Sequence, residues 1–273
     1  MLAVMALLAA FAATPAAAGP SAETTKAFDE YVAKAEDQIR RQESSFEAFV
    51  IVEPASSGTR QAALGRGDTI VDHRGPAMAQ IPGGLIHHWA GTVFIPGASV
   101  AQVLEVVQDY DHLERYYSPE VLASRLVARK GNDFHIVLRM RERKILTVVL
   151  DSQFDVRYGR LDADHQFSWS RSTRITEVTD ADGPRERALS DAENHGYLWR
   201  LNSYWRFVQV DGGAIVQCEA ISLTRDVPTG LGWLIGPLVR EIPRESLETA
   251  LRHTRDAVIE RARRGDSTAT ERR

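Results

Sequence analysis

An α+β fold, with an antiparallel sheet covered on one face by a long C-terminal helix, is what this sequence predicts, and three observations carry it. Apolar and polar residues alternate in long runs between Leu85 and Arg225. The turns between those runs contain glycine, as in Gly131-Asn132, Asp182-Gly183 and Asp211-Gly212-Gly213, and no helical pattern interrupts the last five runs. The chain then closes on a helical stripe of Leu247, Ala250, Leu251, Thr254, Ala257, Val258 and Arg261. Strands in succession without intervening helices form an antiparallel sheet, and a sheet apolar on one face needs a cover.

Residues Met1 to Ala18 form an uncharged run of apolar and small residues that ends in Ala16-Ala17-Ala18. That ending is the small-x-small pattern of a signal-peptidase site, so the chain is expected to be exported to a periplasm or secreted. The basic segment that normally precedes such a core is missing. Thr14-Pro15 argues against a buried helix, and the apolar part is shorter than the ~20 residues that cross a bilayer. Residues 19–84 are expected as a helical extension and linker. An amphipathic helix runs from Ser21 to Phe49, with Phe28, Tyr31, Val32, Ala35, Ile39, Phe46 and Phe49 as its stripe. A Gly- and Pro-rich stretch follows, with Thr69-Ile70-Val71 as its only strand material.

The main domain is expected over residues 85–262. Leu85 to Ile95 is its first strand, Ser99 caps a helix carrying Val100, Val103, Leu104 and Val107, and Asp109 to Pro119 ends that helix. Phe134 to Met140, Leu146 to Tyr158, Gln166 to Val178, Tyr197 to Val210 and Ala214 to Arg225 are the remaining strands. Alternation assigns Tyr197, Trp199, Leu201, Ser203, Trp205 and Phe207 to an apolar core face. Leu198, Arg200, Asn202, Tyr204 and Arg206 fall on the other face, which reads as wet. Glu241-Ile242-Pro243 starts the closing helix, since proline is tolerated in a first turn. Residues 263–273 read as a polar tail.

Composition bounds function only loosely. A 273-residue chain with 44% hydrophobic and 26% charged residues is neither disordered nor fibrous. Its net charge of −4 provides no broad basic field, so no nucleic-acid partner is expected. Cys218 is the only cysteine, which excludes an intrachain disulfide and a Cys-x-x-Cys pair. There is no G-x-S-x-G elbow, H-E-x-x-H pair or Walker loop. Neither a cofactor nor a metal is expected, because the adjacent His87 and His88 point to opposite faces of a strand and cannot share one ion.

The residues Thr92-Val93-Phe94-Ile95-Pro96, Val100 to Val107, Asp109, Tyr117-Ser118-Pro119-Glu120-Val121 and Ile242-Pro243-Arg244-Glu245-Ser246-Leu247 set up an order of strand, proline, helix, Asp, aromatic-x-Pro, strands and closing helix. In that order the chain resembles the START-like (polyketide cyclase and lipid-transfer) superfamily, over roughly residues 85–262. The resemblance implies a helix-grip fold: a curved antiparallel sheet wrapped around the C-terminal helix, with an apolar cavity between them for a lipid, sterol, polyketide or similar hydrophobic small molecule. The extension before residue 85 is additional to the minimal fold.

Such a cavity would be walled by Trp89, Trp169, Trp199, Trp205 and Trp233, each able to bury a large apolar area and to present one N–H, with Tyr116, Met140 and Leu201 beside them. Filling of an ordinary core is the competing reading for each tryptophan. By alternation His87 faces the cavity if Trp89 does. Arg171 points inward if Phe167 and Trp169 do, and Arg139, Arg171, Arg200, Arg206 and Glu219 include candidates for a buried ion pair that orients a polar head group. His195, near Asp191 and Glu193, reads as part of a solvated turn. The nearly uncharged stretch Gly230 to Val239 is either a gate that touches a membrane surface or a fixed lid. Three functions remain open: an exported, cofactor-free binding or transfer protein; a cyclase- or hydratase-like enzyme using His87, Arg171 or Glu219; and an interaction module acting through its N-terminal helix.

Overall fold

The computed structural model describes residues 19–45, 49–50, 62–75, 79–143, 147–227 and 232–270, without the side chains of 232–238, 240 and 265–270. The expected signal segment, the side chain of Trp233 and the end of the tail lie outside the described residues. Helix α1, Ala22–Glu43, is capped by Ser21, whose hydroxyl accepts from the Thr24 N–H. Strands β1 (Ile70–His73), β2 (Ala79–Ile81) and β3 (Gly84–Pro96) follow. Ser99 caps helix α2, Val100–Val107, in a reciprocal pair with Gln102, and a short helix α3 spans Leu113–Tyr117. Then come β4 (Val121–Lys130), β5 (Asp133–Arg143), β6 (Thr147–Arg160), β7 (His165–Thr179), the two-residue β8 (Arg187–Ala188), β9 (Arg200–Val210), β10 (Gly213–Arg225) and helix α4 (Gly232–Thr270).

All ten strands belong to one antiparallel sheet in the order β1-β3-β10-β9-β7-β6-β5-β4, with β2 on β3 and β8 on β7. The long strands curve, helped by irregular register between β4 and β5 and between β6 and β7, where an extra residue increases local twist. Helix α4 rests on β3, β1 and β10 and against α2 and α3. The fold is therefore the α+β helix-grip arrangement, with an N-terminal helix added. One turn of the grip is unusually close: a Cβ placed on Gly91 would lie 2.5 Å from Leu251 Cδ1. Glycine at 91 is what allows the helix to approach β3.

Several boundaries differ from the sequence reading. Helix α1 ends at Glu43, and the stretch before residue 85 contributes β1 and β2 to the sheet. Strand β4 was not expected, because its exposed edge position lets polar and apolar residues mix without alternation. Strand β9 begins at Arg200, three residues late. Helix α4 starts at Gly232, so Pro237 and Pro243 sit inside it and the apolar stretch ending at Val239 forms its first turns. A proline removes one hydrogen bond there, and the packed length of the helix outweighs it. The polar tail is helical to Thr270. Among the described residues no helix is long and apolar enough to cross a membrane.

The main difference concerns the two faces. Helix α4 lies on the inner face, and α1 covers the outer face over β3, β10 and β9. Phe28, Val32 and Ile39 of α1 pack with Ile86, Tyr204, Ile221 and Leu223 of the sheet. The face that reads as wet is thus the drier of the two along β9: Tyr204 and Arg206 have no exposed surface.

Candidate functional site

The inner face is built by register. One row across the sheet reads Trp89, Ala220, Ser203, Ser170, Val156 and Phe134, and a second reads His87, Ser222 and Leu201, then Ser172 and Phe154 beyond the Leu201 N–H···Ser172 Oγ bond of 2.9 Å. Bulky side chains occupy the ends of these rows, and small ones, with Leu201 between two serines, the middle. At one end Trp89, Val93, Ile95 and Val216 meet Leu247, Leu251 and Val258 of α4. At the other, Phe134, Ile136, Phe154 and Val156 meet Tyr110 and Leu113. Between these two apolar clusters lies a band of serine and alanine where the helices have little to rest on.

Accessibility follows that geometry. Along β9 the inner-facing Leu201, Ser203 and Trp205 are partly accessible, while Asn202, Tyr204 and Arg206, which face α1, are buried. Ala220 on β10, Ser170 on β7 and Leu138 and Met140 on β5 share the partial access of the inner band. Its polar chemistry is sparse. Tyr110 and Tyr158 join their hydroxyls at 2.7 Å, and Tyr117 joins Thr254 Oγ1 at 2.8 Å. Burial pushes the Tyr117 hydroxyl up to about 12 and those of Tyr110 and Tyr158 higher still, so all three stay protonated. Cys218 is buried on this face too, and burial pushes its thiol well up, away from nucleophilic use. His87 Nδ1, Trp89 Nε1 and Ser152 Oγ are buried without a hydrogen-bond partner.

The sequence candidates divide between the faces. His87, Trp89, Met140, Leu201 and Trp205 lie on the inner face, and Tyr116 on α3 packs against both inner clusters. Trp169, Arg171, Trp199 and Glu219 lie on the outer face under α1, which corrects the assignment of the two tryptophans as cavity walls and of Arg171 and Glu219 as groups that meet the guest. Trp169 and Arg171 do share a face, as alternation requires, but register pairs them with Tyr204 and Asn202. Trp199 precedes β9, so the alternation counted back from Trp205 does not reach it, and it packs with the α1 cluster. His87, Arg171 and Glu219 are therefore not brought together into one acid/base site. His195 Nδ1 bonds the buried Glu177 at 2.7 Å, and Asp191 and Glu193 are not its partners. Arg139 pairs with Asp151 and Glu186 on the outer face.

The outer face holds a dense charge cluster: the buried ion pair sought among the strand residues is Arg206–Glu219, and what sequence reasoning missed is its place under α1 and the partners that α1 supplies. Arg206 reaches Gln217 Oε1 at 2.9 Å, Gln42 Oε1 at 3.1 Å, Glu219 at 3.5 Å and Glu43 at 3.8 Å. His88 bridges Glu219, at 2.8 Å, and the Tyr31 hydroxyl, at 2.9 Å. Glu36 takes both Arg171 and the Tyr204 hydroxyl. Burial pushes Glu43 up to about 7 against the pull of Arg206 and the Trp169 N–H. Burial also raises Glu219, but the His88 hydrogen bond and Arg206 outweigh it and hold that carboxyl below its ordinary value. The available signal was the spacing of Glu36 and Glu43, each four residues after a stripe residue, Val32 and Ile39.

Among the described residues no cluster of three or more His, Cys, Asp or Glu is arranged to hold a metal ion. No family model matches the sequence, and no curated protein matches it. Solved structures similar to the chain include human STARD10 (10% identity, TM-score 0.45, 81% of this chain and 86% of that one). They also include the Zhui aromatase/cyclase from Streptomyces sp. R1128 (14%, 0.44, 65% and 96%) and a STAR-related lipid transfer protein from Xanthomonas axonopodis (16%, 0.39, 67% and 98%).

Proposed function

We propose that this chain is an exported binding or transfer protein that holds a hydrophobic small molecule or lipid between the inner face of the sheet and helices α2 to α4. The observation that carries the reading is the accessible inner band. Leu201, Ser203, Trp205 and Ala220 sit beneath a helical cover yet keep accessible surface, whereas the same strands are sealed on the α1 side. An apolar guest there removes surface from water at roughly 25 cal/mol per Å², and a few polar groups set its orientation. The first turns of α4, in the stretch Gly230 to Val239, are the segment assigned to transient membrane contact during loading.

The reading is tested by native mass spectrometry of protein recovered from the periplasm of an expression host, followed by organic extraction. The expected result is a mature chain beginning at Gly19 with a stoichiometric extractable mass. Ser203→Phe, which fills the band, and Trp205→Ala, which removes a wall, are expected to arrive empty. A wild-type load in both folded variants overturns the binding site, and a chain retaining Met1 in the cytosol overturns export.

A further inference from the structure

Resting on the binding reading above, we propose that the guest carries a hydroxyl group on an otherwise apolar body, and that this hydroxyl donates its hydrogen bond to Nδ1 of His87. The geometry of that histidine specifies the chemistry. His87 lies on β3, on the inner face, with no exposed surface; its register partner is the buried, small Ser222, and across that row lies Leu201 of the partly accessible band.

Its two nitrogens have different fates. Nε2 lies 3.0 Å from Thr224 Oγ1, and the single proton of that hydroxyl points to the Arg225 carbonyl at 3.3 Å. With that hydroxyl donating to Arg225, Thr224 Oγ1 accepts from Nε2–H; the proposal assigns this tautomer, in which Nδ1 is left as a bare lone pair. That lone pair is buried and has no partner in the protein. Burial also pushes the imidazole down to about 4, so the ring is neutral at physiological pH and offers no charge to an anion.

A buried acceptor without a donor is costly, and a ligand that supplies the donor recovers that cost. A carboxylate or phosphate at neutral pH is acceptor-rich and meets a lone pair with lone pairs. An ether or ester presents no proton. An alcohol or phenol does, and its oxygen keeps lone pairs with which to accept in turn. The site thus discriminates among apolar molecules by one proton.

The experiment compares matched probes by isothermal titration calorimetry on the delipidated, folded chain: 1-decanol against 1-methoxydecane and decanoate, and 2-naphthol against 2-methoxynaphthalene. In the wild type the hydroxyl member of at least one pair is expected to bind about tenfold more tightly than its methyl ether, the worth of one buried hydrogen bond. In His87→Phe, which keeps a ring and removes the acceptor, that ratio is expected to fall to about one while the ether is unchanged. A second readout needs no variant: in protein labelled with ¹⁵N-histidine, the Nδ1 resonance of His87 is expected to shift with the alcohol and stay put with the ether.

Equal binding of alcohol and ether by the wild type, or a hydroxyl preference that survives His87→Phe, overturns the assignment while leaving the binding reading standing. Failure of every probe in both shapes to bind overturns both.

Discussion

Replacing Arg206 with methionine keeps an unbranched apolar stem and removes the buried guanidinium between Glu43 and Glu219. In the wild type its guanidinium has no exposed surface and lies 3.5 Å from one carboxylate and 3.8 Å from the other, while Gln217 and Gln42 direct their side-chain oxygens at it. Removing one partner of a buried ion pair costs about 3–5 kcal/mol, because the charge left behind has no compensation. That is a large share of the 5–15 kcal/mol that separates a typical folded domain from its unfolded chain. With a urea dependence of about 3 kcal/mol per molar, the unfolding midpoint of Arg206→Met is expected to fall by roughly 1–2 M at pH 7. The deficit is expected to shrink toward pH 5, where the abandoned carboxylates take up protons in place of the missing cation. A midpoint within about 0.3 M of wild type, or a deficit that grows as pH falls, refutes the view that α1 is held by this cluster.

Three further outcomes follow from the same geometry. Gly91→Ala is expected to destabilise by about 1–3 kcal/mol in thermal or urea unfolding, because the new Cβ meets Leu251, a fully buried side chain with nowhere to move; a neutral result refutes the close approach of α4 to β3. Glu43, raised from 4.5 to about 7 by burial, binds its proton more tightly folded than unfolded, so its contribution is full below pH 4.5 and lost as pH rises through about 7. Glu43→Gln is therefore expected to flatten the stability profile between pH 5 and 8, and parallel profiles for the two proteins count against it. Ser203→Phe and Asn202→Phe are neighbours on opposite faces: the first is expected to fold with a melting temperature near wild type, and the second to lose at least about 2 kcal/mol by overpacking under α1. Equal destabilisation by both refutes an open inner band.

Much of the fold is legible in the chain because β5, β6 and β9 alternate, β3 is rich in β-branched and aromatic residues, and the closing helix has a continuous stripe. What alternation reports is which residues share a face, and here it is right: Trp169 goes with Arg171, and Leu201 with Ser203 and Trp205. It does not report which face is covered. Tyr204 and Arg206 read as solvent-facing because nothing local reveals that Glu36, Gln42 and Glu43 arrive from 164 or more positions away in some pairings, such as Gln42 to Arg206. Strand β4 escaped for the opposite reason, since VLASRLVARK lies at an edge where neither face is fully buried. The serines of the inner band are equally silent in sequence. Ser170, Ser203 and Ala220 become one feature only when register sets them side by side.

The separation of chemistry between the faces bears on which function the molecule suits. Acid/base catalysis needs titratable groups within reach of a guest, poised near the working pH. In this chain Glu43, raised to about 7, lies under α1 with Glu219, His88 and Arg206, engaged with them and on the opposite side of the sheet from the inner band. The accessible band carries Leu201, Ser203, Trp205, Ala220 and Met140, and the imidazole of His87, buried on the same face, is held neutral and tied to Thr224. A surface of that kind can select a guest by shape and by a single proton. Charge fastens the N-terminal helix to one side of the sheet, which leaves the other side apolar and partly accessible.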